Sequence, residues 1–291
     1  MLITGIIPTI FPFIWSKHFF FVPLQVISDN TAKHMDNFAL ITGASSGIGY
    51  EYAREMARRG YNLLIVSNEE AIRDKAESLR QAYPVQVVPL VMNLGTQDAA
   101  KTLYDYCHAH DYRIEVLINN AGVYHNTDFL EDSEAFNLLI MNLHMVTPAM
   151  LTYYFGHDMV TRGKGYILNM CSITARIAVQ KMGTYGATKA FLQNFTRSVH
   201  IELREKGVYV TDVSPGAVQT GLYNLKDYAT RIGRALGYIV TPEYLARRGV
   251  RAMFRGRAKI TVPCIYNYIL LFFVALIPTS MLRLIRRLRW F

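Results

Sequence analysis

Tyr185 and Lys189 stand four residues apart in the stretch Tyr185-Gly-Ala-Thr-Lys189. On a helix that spacing puts the phenol and the ammonium on one face. A free phenol holds its proton to about pH 10, and a neighbouring cation favours the phenolate. The pair is therefore a candidate acid/base unit. Alone it is equally well a surface Tyr/Lys pair. A second group precedes it, Thr42-Gly43-Ala44-Ser45-Ser46-Gly47-Ile48-Gly49. A dinucleotide pyrophosphate needs backbone N–H groups at a helix N-terminus and glycines that let it come close. Gly43, Ser45, Ser46, Gly47, Ile48 and Gly49 are the candidates here, and an ordinary tight turn is the plainer alternative.

These groups need strands and helices to hold them. Apolar runs predict strands over 38–41, 62–66, 85–91, 114–118, 165–170, 208–213 and 259–262. Between them, amphipathic spacing predicts helices over 50–59, 69–82, 96–108, 133–150 and 184–205. Thr241-Pro242-Glu243 reads as an N-cap, a proline at the first helical position and an early acid, opening one more helix. Apolar strands alternating with helices predict an α/β fold: one Rossmann-like, doubly wound parallel sheet with helices on both faces. Ligands bind such sheets at the carboxyl ends of the strands, where each motif falls.

Several classes are excluded. Three well-separated cysteines (Cys107, Cys171, Cys264) give no disulfide framework, and no Cys/His set has zinc spacing, so no metal is expected. The net charge of +9 is confined to one end. From Pro242 onward ten basic residues face one acid, Glu243, leaving residues 1–241 neutral. A basic tail beside an apolar run argues for an anionic membrane surface and against nucleic acid.

With Thr42–Gly49 and Tyr185/Lys189 in this order, the chain resembles the short-chain dehydrogenase/reductase family over residues 36–262. Asn119-Asn120-Ala121-Gly122 matches the family's sheet-stabilising and ribose-contacting motif. Asn142 falls where the family has a helix asparagine that holds a relay water. Ser172 lies thirteen residues before Tyr185, as the family's substrate-binding serine does. Pro215-Gly216 with Thr220 matches the nicotinamide-contacting loop. The resemblance implies catalysis by Tyr185, Lys189, Ser172 and Asn142. It implies cofactor contacts from the glycine loop, Ser67, Asn93, Asn120, Ala121, Gly122, Tyr185, Lys189, Pro215, Gly216 and Thr220. Two positions depart from the pattern. Ser67-Asn68 ends the second strand where many members carry Asp for NAD or Arg for NADP; lacking a carboxylate, it leans to NADP(H) over NAD(H). Asn93 replaces the aspartate that commonly meets adenine. Cys171 beside Ser172 reads as a small core residue, with no histidine placed to activate it.

The ends read differently. Residues 1–35 are apolar and proline-broken, a poor signal peptide and a poor spanning helix. They are either upstream of a start at Met35 or a membrane-associated segment. Residues 263–291 form an apolar, basic extension: Pro263 and Pro278 bracket an uncharged run, and Leu282, Ile285 and Leu288 alternate with arginines at helical spacing. That is an interfacial pattern, predicting peripheral contact with the cytoplasmic face of a membrane. A helix packed on the fold is the alternative. The apolar segment 221–238 predicts a flap for an apolar substrate such as a 3-ketoacyl, sphingoid or steroid lipid. A dehydrogenase of small secondary alcohols and a non-catalytic nucleotide-binding scaffold are the competing readings. By family analogy alone, the helices carrying Asn142 and Tyr185 would join a homo-oligomer.

Overall fold

The computed structural model describes residues 37–124, 126–219 and 239–263. The segments 1–35 and 264–291, the flap 221–238 and Thr220 lie outside the described residues. The elements run β1 (Phe38–Thr42), α1 (Gly47–Arg58), β2 (Asn62–Ser67), α2 (Ile72–Ala82), β3 (Val87–Val91), α3 (Ala99–Ala109) and β4 (Ile114–Asn119). Then come α4 (Glu134–Met141), a π turn (Asn142–Val146), α5 (Thr147–Thr161), β5 (Gly165–Met170), a 3-10 turn (Ile173–Arg176), α6 (Gly183–Arg204), β6 (Val208–Pro215), α7 (Pro242–Phe254) and β7 (Lys259–Val262).

The seven strands form one sheet in the order β3-β2-β1-β4-β5-β6-β7. Every pairing is parallel. The order reverses between β1 and β4, and the crevice at that switch is where a doubly wound sheet takes its ligand. Alternate residues serve opposite faces. In β1, Ala39 and Ile41 join the core under α1, α2 and α7, while Phe38 and Leu40 join the core under α3 and α5. In β2, Leu63 and Ile65 divide from Leu64 and Val66 in the same way. Continuous apolar runs are the sequence form of a strand buried on both sides.

The Thr241 signal is realised: its hydroxyl accepts the Tyr244 N–H at 3.2 Å, and Pro242 opens α7. Boundaries shifted elsewhere. α1 starts at Gly47 rather than Tyr50, because the loop glycines themselves form its first turn. α2 and α3 start at Ile72 and Ala99, three residues later than expected. The helix expected to end near Met150 continues to Thr161 after the π turn. Leu151, Phe155 and Met159 carry its buried stripe, but Tyr153, Tyr154 and His157 interrupt the apolar pattern. The stretch Glu134–Thr161 is long and apolar enough to cross a membrane by length and composition. That buried stripe belongs to the sheet-facing core.

Candidate active site

The loop after β1 is stapled to the loop after β4. Thr42 Oγ1 accepts the N–H groups of Asn120 and Ala121, each at 3.0 Å. Asn120 Nδ2 donates back to the carbonyls of Thr42 and Gly43, both at 3.1 Å. These contacts fold residues 120–122 into a strap against the glycine loop. A Cβ on Gly49 would lie 1.9 Å from the Gly43 carbonyl oxygen, so this approach is open to glycine alone. Gly43 and Gly47 have φ of +67° and +54°. Ser46 is the N-cap of α1 but makes no side-chain cap bond, leaving the first-turn N–H groups to an anionic ligand. Ile48 packs its side chain against the core.

At the end of β2, Ser67 Oγ donates to Ser45 Oγ at 3.0 Å and accepts the Glu69 N–H at 3.2 Å. The structure thus brings together two serines that sequence reading placed in separate motifs. Asn93 Oδ1 accepts the Gly95 N–H at 2.9 Å, which turns its side chain into its own loop. Pro215 ends β6, and Gly216 is held by its N–H on the Val262 carbonyl at 2.8 Å.

Ser172 follows β5 and caps the 3-10 turn, accepting from the Thr174 N–H at 3.2 Å. Thr174 Oγ1 lies 2.8 Å from the same oxygen and donates to it. With both incoming bonds supplied locally, the Ser172 hydroxyl still has its own proton to donate. Tyr185 lies in the first turn of α6 at 9% exposure. Its ring meets Tyr124 edge-on at 5.5 Å, and Lys189 Nζ lies 5.8 Å from the ring centre. The i,i+4 pair therefore shares a face, as expected. Lys189 is buried and donates to the Met170 carbonyl at 2.9 Å. Asn142 opens the π turn, and its carbonyl takes the Thr147 N–H. The structure forms no direct hydrogen bond from the Asn142 side chain to Lys189; the resemblance places a water between them.

A small cavity of about 10 Å³, close to the room one water needs, lies beneath the strap, with Thr42, Asn119, His144, Met170 and Lys189 in its lining. Sequence reading passed over His144 and Thr188, and also the buried ladder that ties β4, β5 and α6. In that ladder Asn119 Nδ2 donates to Asn169 Oδ1 at 2.8 Å, and Asn169 Nδ2 donates to Thr196 Oγ1 at 2.9 Å. The only signal for such a ladder was polar residues at strand ends. Cys171 is buried beside Asp212, and burial holds its thiol far above the usual range, which fits a core residue.

Burial also pushes the Lys189 ammonium from its ordinary 10.5 down to about 8, with Cys171 opposing weakly. The native state therefore binds the proton less tightly than the unfolded chain. Stability is depressed below about pH 8 and recovers as pH rises from 8 to 10.5. The depression is about 3 kcal/mol, partly offset by the bond to Met170. Lys189→Met should accordingly unfold at higher denaturant than wild type at pH 7, with the gap closing near pH 10.5. Equal or lower stability of the variant at pH 7 would contradict a desolvation cost.

The switch-point crevice, the uncapped helix end and the Ser172/Tyr185/Lys189 set define a dinucleotide-binding α/β protein of the short-chain dehydrogenase/reductase class. The family model for short chain dehydrogenase matches residues 37–228, and the chain belongs to that family. Among its relatives, very-long-chain 3-oxoacyl-CoA reductase-A of Danio rerio is 29% identical over 203 residues, 68% of this chain and 63% of the relative. Hydroxysteroid dehydrogenase-like protein 1 of Gallus gallus is 28% identical over 203 residues, 68% of this chain and 61% of the relative. The chain thus spans less than two thirds of the length of these relatives. Among solved structures, a short-chain dehydrogenase from Sphingobium yanoikuyae in complex with NADPH superposes with TM-score 0.70 at 28% identity, covering 79% of this chain and 89% of that one. The bulky-bulky ketone specific alcohol dehydrogenase of Comamonas testosteroni gives TM-score 0.69 at 28% identity, covering 79% and 87%.

Proposed function

We propose that the protein is an NAD(P)H-dependent ketone reductase acting on an apolar lipid, a 3-ketoacyl, sphingoid or steroid molecule, and that the same residues run the reverse alcohol oxidation. The observation that carries the reaction is the grouping of Ser172, Tyr185 and Lys189 at the carboxyl end of β5, next to the strap and the glycine loop. The cofactor fits the residues present: the first turn of α1 would hold its pyrophosphate, and Asn120, Ala121, Gly122, Tyr185, Lys189, Pro215 and Gly216 would contact its nicotinamide half. When bound, it supplies the hydride. Ser172 and Tyr185 then donate hydrogen bonds to the carbonyl oxygen, where negative charge develops. Tyr185 gives up its proton, and the Lys189 ammonium stabilises the phenolate that remains. Asn142 holds the water that links Lys189 to solvent.

NADP(H) is preferred over NAD(H), in our reading. Ser45, whose oxygen accepts the Ser67 proton at the end of β2, keeps its own proton to donate to a 2′-phosphate, and neither Ser67 nor Asn68 is a carboxylate that would repel it. The apolar substrate is supported by the relatives named for 3-oxoacyl-CoA and bulky ketones. It is also supported by Phe129, Leu130 and Val179, exposed on the loops that follow the strap and the 3-10 turn. Those two loops are joined by the Thr127 N–H on the Lys181 carbonyl at 3.2 Å. Residues 36–262 form the catalytic domain in this reading, and 263–291 dock it peripherally on the cytoplasmic face of a membrane.

The test is consumption of NADPH and of NADH with long-chain 3-ketoacyl, sphingoid, steroid and small polar ketones, on protein beginning at Met1 and at Met35. Turnover of lipid ketones with NADPH ahead of NADH is expected. Efficient turnover of small polar ketones with neglect of lipid ones would overturn the substrate assignment. Nucleotide binding without turnover across the panel would favour a scaffold.

A further inference from the structure

His144 belongs to the π turn and is 1% exposed. Its Nε2 accepts the Val123 N–H at 3.0 Å. A peptide N–H can only donate, so Nε2 carries no proton, and the neutral ring must carry it on Nδ1. Nδ1 lies 3.1 Å from Thr188 Oγ1, and that hydroxyl donates in turn to the Tyr185 carbonyl at 2.8 Å. The direction of every bond is therefore fixed: Val123 N–H to His144, His144 Nδ1–H to Thr188, Thr188 O–H to Tyr185. The imidazole also stands edge-on to the Tyr185 ring, with centroids 5.6 Å apart and planes at 80°. A Cβ on Gly122 would fall 2.8 Å from Nε2 and 3.7 Å from Lys189 Nζ, so the strap, the imidazole and the ammonium are packed as one layer.

A buried histidine with both nitrogens satisfied is often only core. One of its bonds ends on Val123, directly after the strap that flanks the cofactor crevice; the other ends on the Thr188 hydroxyl, which in turn bonds the backbone of the residue that carries the phenol. We propose that His144 is a positioning residue that, as the neutral Nδ1–H tautomer, locks the strap to the first turn of α6 and so fixes the Tyr185 ring against the cofactor crevice. This rests on the reading of Tyr185 as the acid. A charged ring would aim a donor at the Val123 N–H and set a second cation beside Lys189; burial, and then Lys189, hold the imidazole well below its ordinary range. The groups of α6 that face it are Tyr185, Thr188 and Lys189.

The experiment has two arms on the full chain. NMR of protein labelled with 15N-histidine should show a buried ring protonated on Nδ1 at pH 7, its signal missing from His144→Gln. An Nε2-protonated or charged ring overturns the proposal. This arm needs no turnover, so it stands even if Tyr185→Phe remains active and the acid assignment fails. In the kinetic arm, with the ketone that wild type reduces best, His144→Leu should lower kcat by about tenfold or more, because small misplacements of reacting groups carry large penalties. Its KM for NADPH should stay within about twofold. His144→Gln, whose Oε1 can still accept from Val123, should recover part of kcat. If the leucine variant does not fold, Thr188→Val replaces it, and His144→Gln/Thr188→Val should fall no further than the worse single variant. Unchanged kcat, an equal loss of NADPH affinity, or additive losses in the double variant would overturn the proposal.

Discussion

Replacement of Tyr185 by phenylalanine should lower kcat by roughly 10²–10⁴-fold, the range that a positioned general acid contributes. The change removes one oxygen and leaves the ring. Its packing on Tyr124 and His144 and the Thr188 bond to its backbone carbonyl do not involve that oxygen. Affinity for NADPH, read by fluorescence titration, should stay within about threefold and the melting temperature within a few degrees, since the buried ring and its packing stay in place. The separation of the two quantities is what identifies the phenol as acid rather than scaffold. Turnover within tenfold of wild type would sink the mechanism. Because Lys189 is held by the Met170 carbonyl rather than by the phenol, the ammonium should remain in place in this variant.

The second large effect is expected at Gly49. An alanine there would put a Cβ 1.9 Å from the Gly43 carbonyl oxygen and 2.5 Å from Asn120 Nδ2. Neither neighbour can give way easily. The carbonyl is backbone, and Asn120 is committed to the carbonyls of Thr42 and Gly43. Overpacking of this kind costs about 3 kcal/mol, felt as both stability and loop geometry. Gly49→Ala should therefore weaken NADPH binding by about tenfold or more and lower the melting temperature, while kcat at saturating cofactor changes less. Gly163→Ala is the contrasting control. Its φ is positive, at +66°, as that of Gly49 is not, but a Cβ there meets nothing within 4 Å and no element of the site is near it in sequence. That variant should lose only modest stability and keep its affinity. Equal affinity in Gly49→Ala and wild type would show that the strap does not shape the cofactor site.

The two variants divide the site as the fold does. Gly49 belongs to the half built on β1 and α1, which grips; Tyr185 belongs to the half built on β5 and α6, which reacts. Strap residues 120–122 with Val123 after them, hanging from β4 between the two halves in the sheet, join these through Thr42 on one side and the Val123–His144 bond on the other.

Much of this was legible in the chain itself. Strands buried on both faces leave unbroken apolar runs, and the partly buried edge strands β3 and β7 are mostly apolar too, so all seven lie close to their expected limits. Thr241-Pro242 announced α7 because capping is local chemistry. The Tyr185/Lys189 spacing fixed a shared helix face for the same reason. Periodicity failed where the helix after Asn142 departs from 3.6 residues per turn, and where aromatic residues on an exposed face hide the stripe of α5. Other features were decided only in three dimensions. Ser45 and Ser67 are 22 residues apart and meet because the loop after β1 and the end of β2 lie side by side. His144 touches Val123 and Thr188 across 21 and 44 residues. The charge state of Lys189 depends on burial that no spacing encodes. Local hydrogen bonding and periodicity write the elements and the reactive residue types into sequence, whereas contacts across strand crossovers, and the desolvation they impose, exist only once the sheet has closed around them.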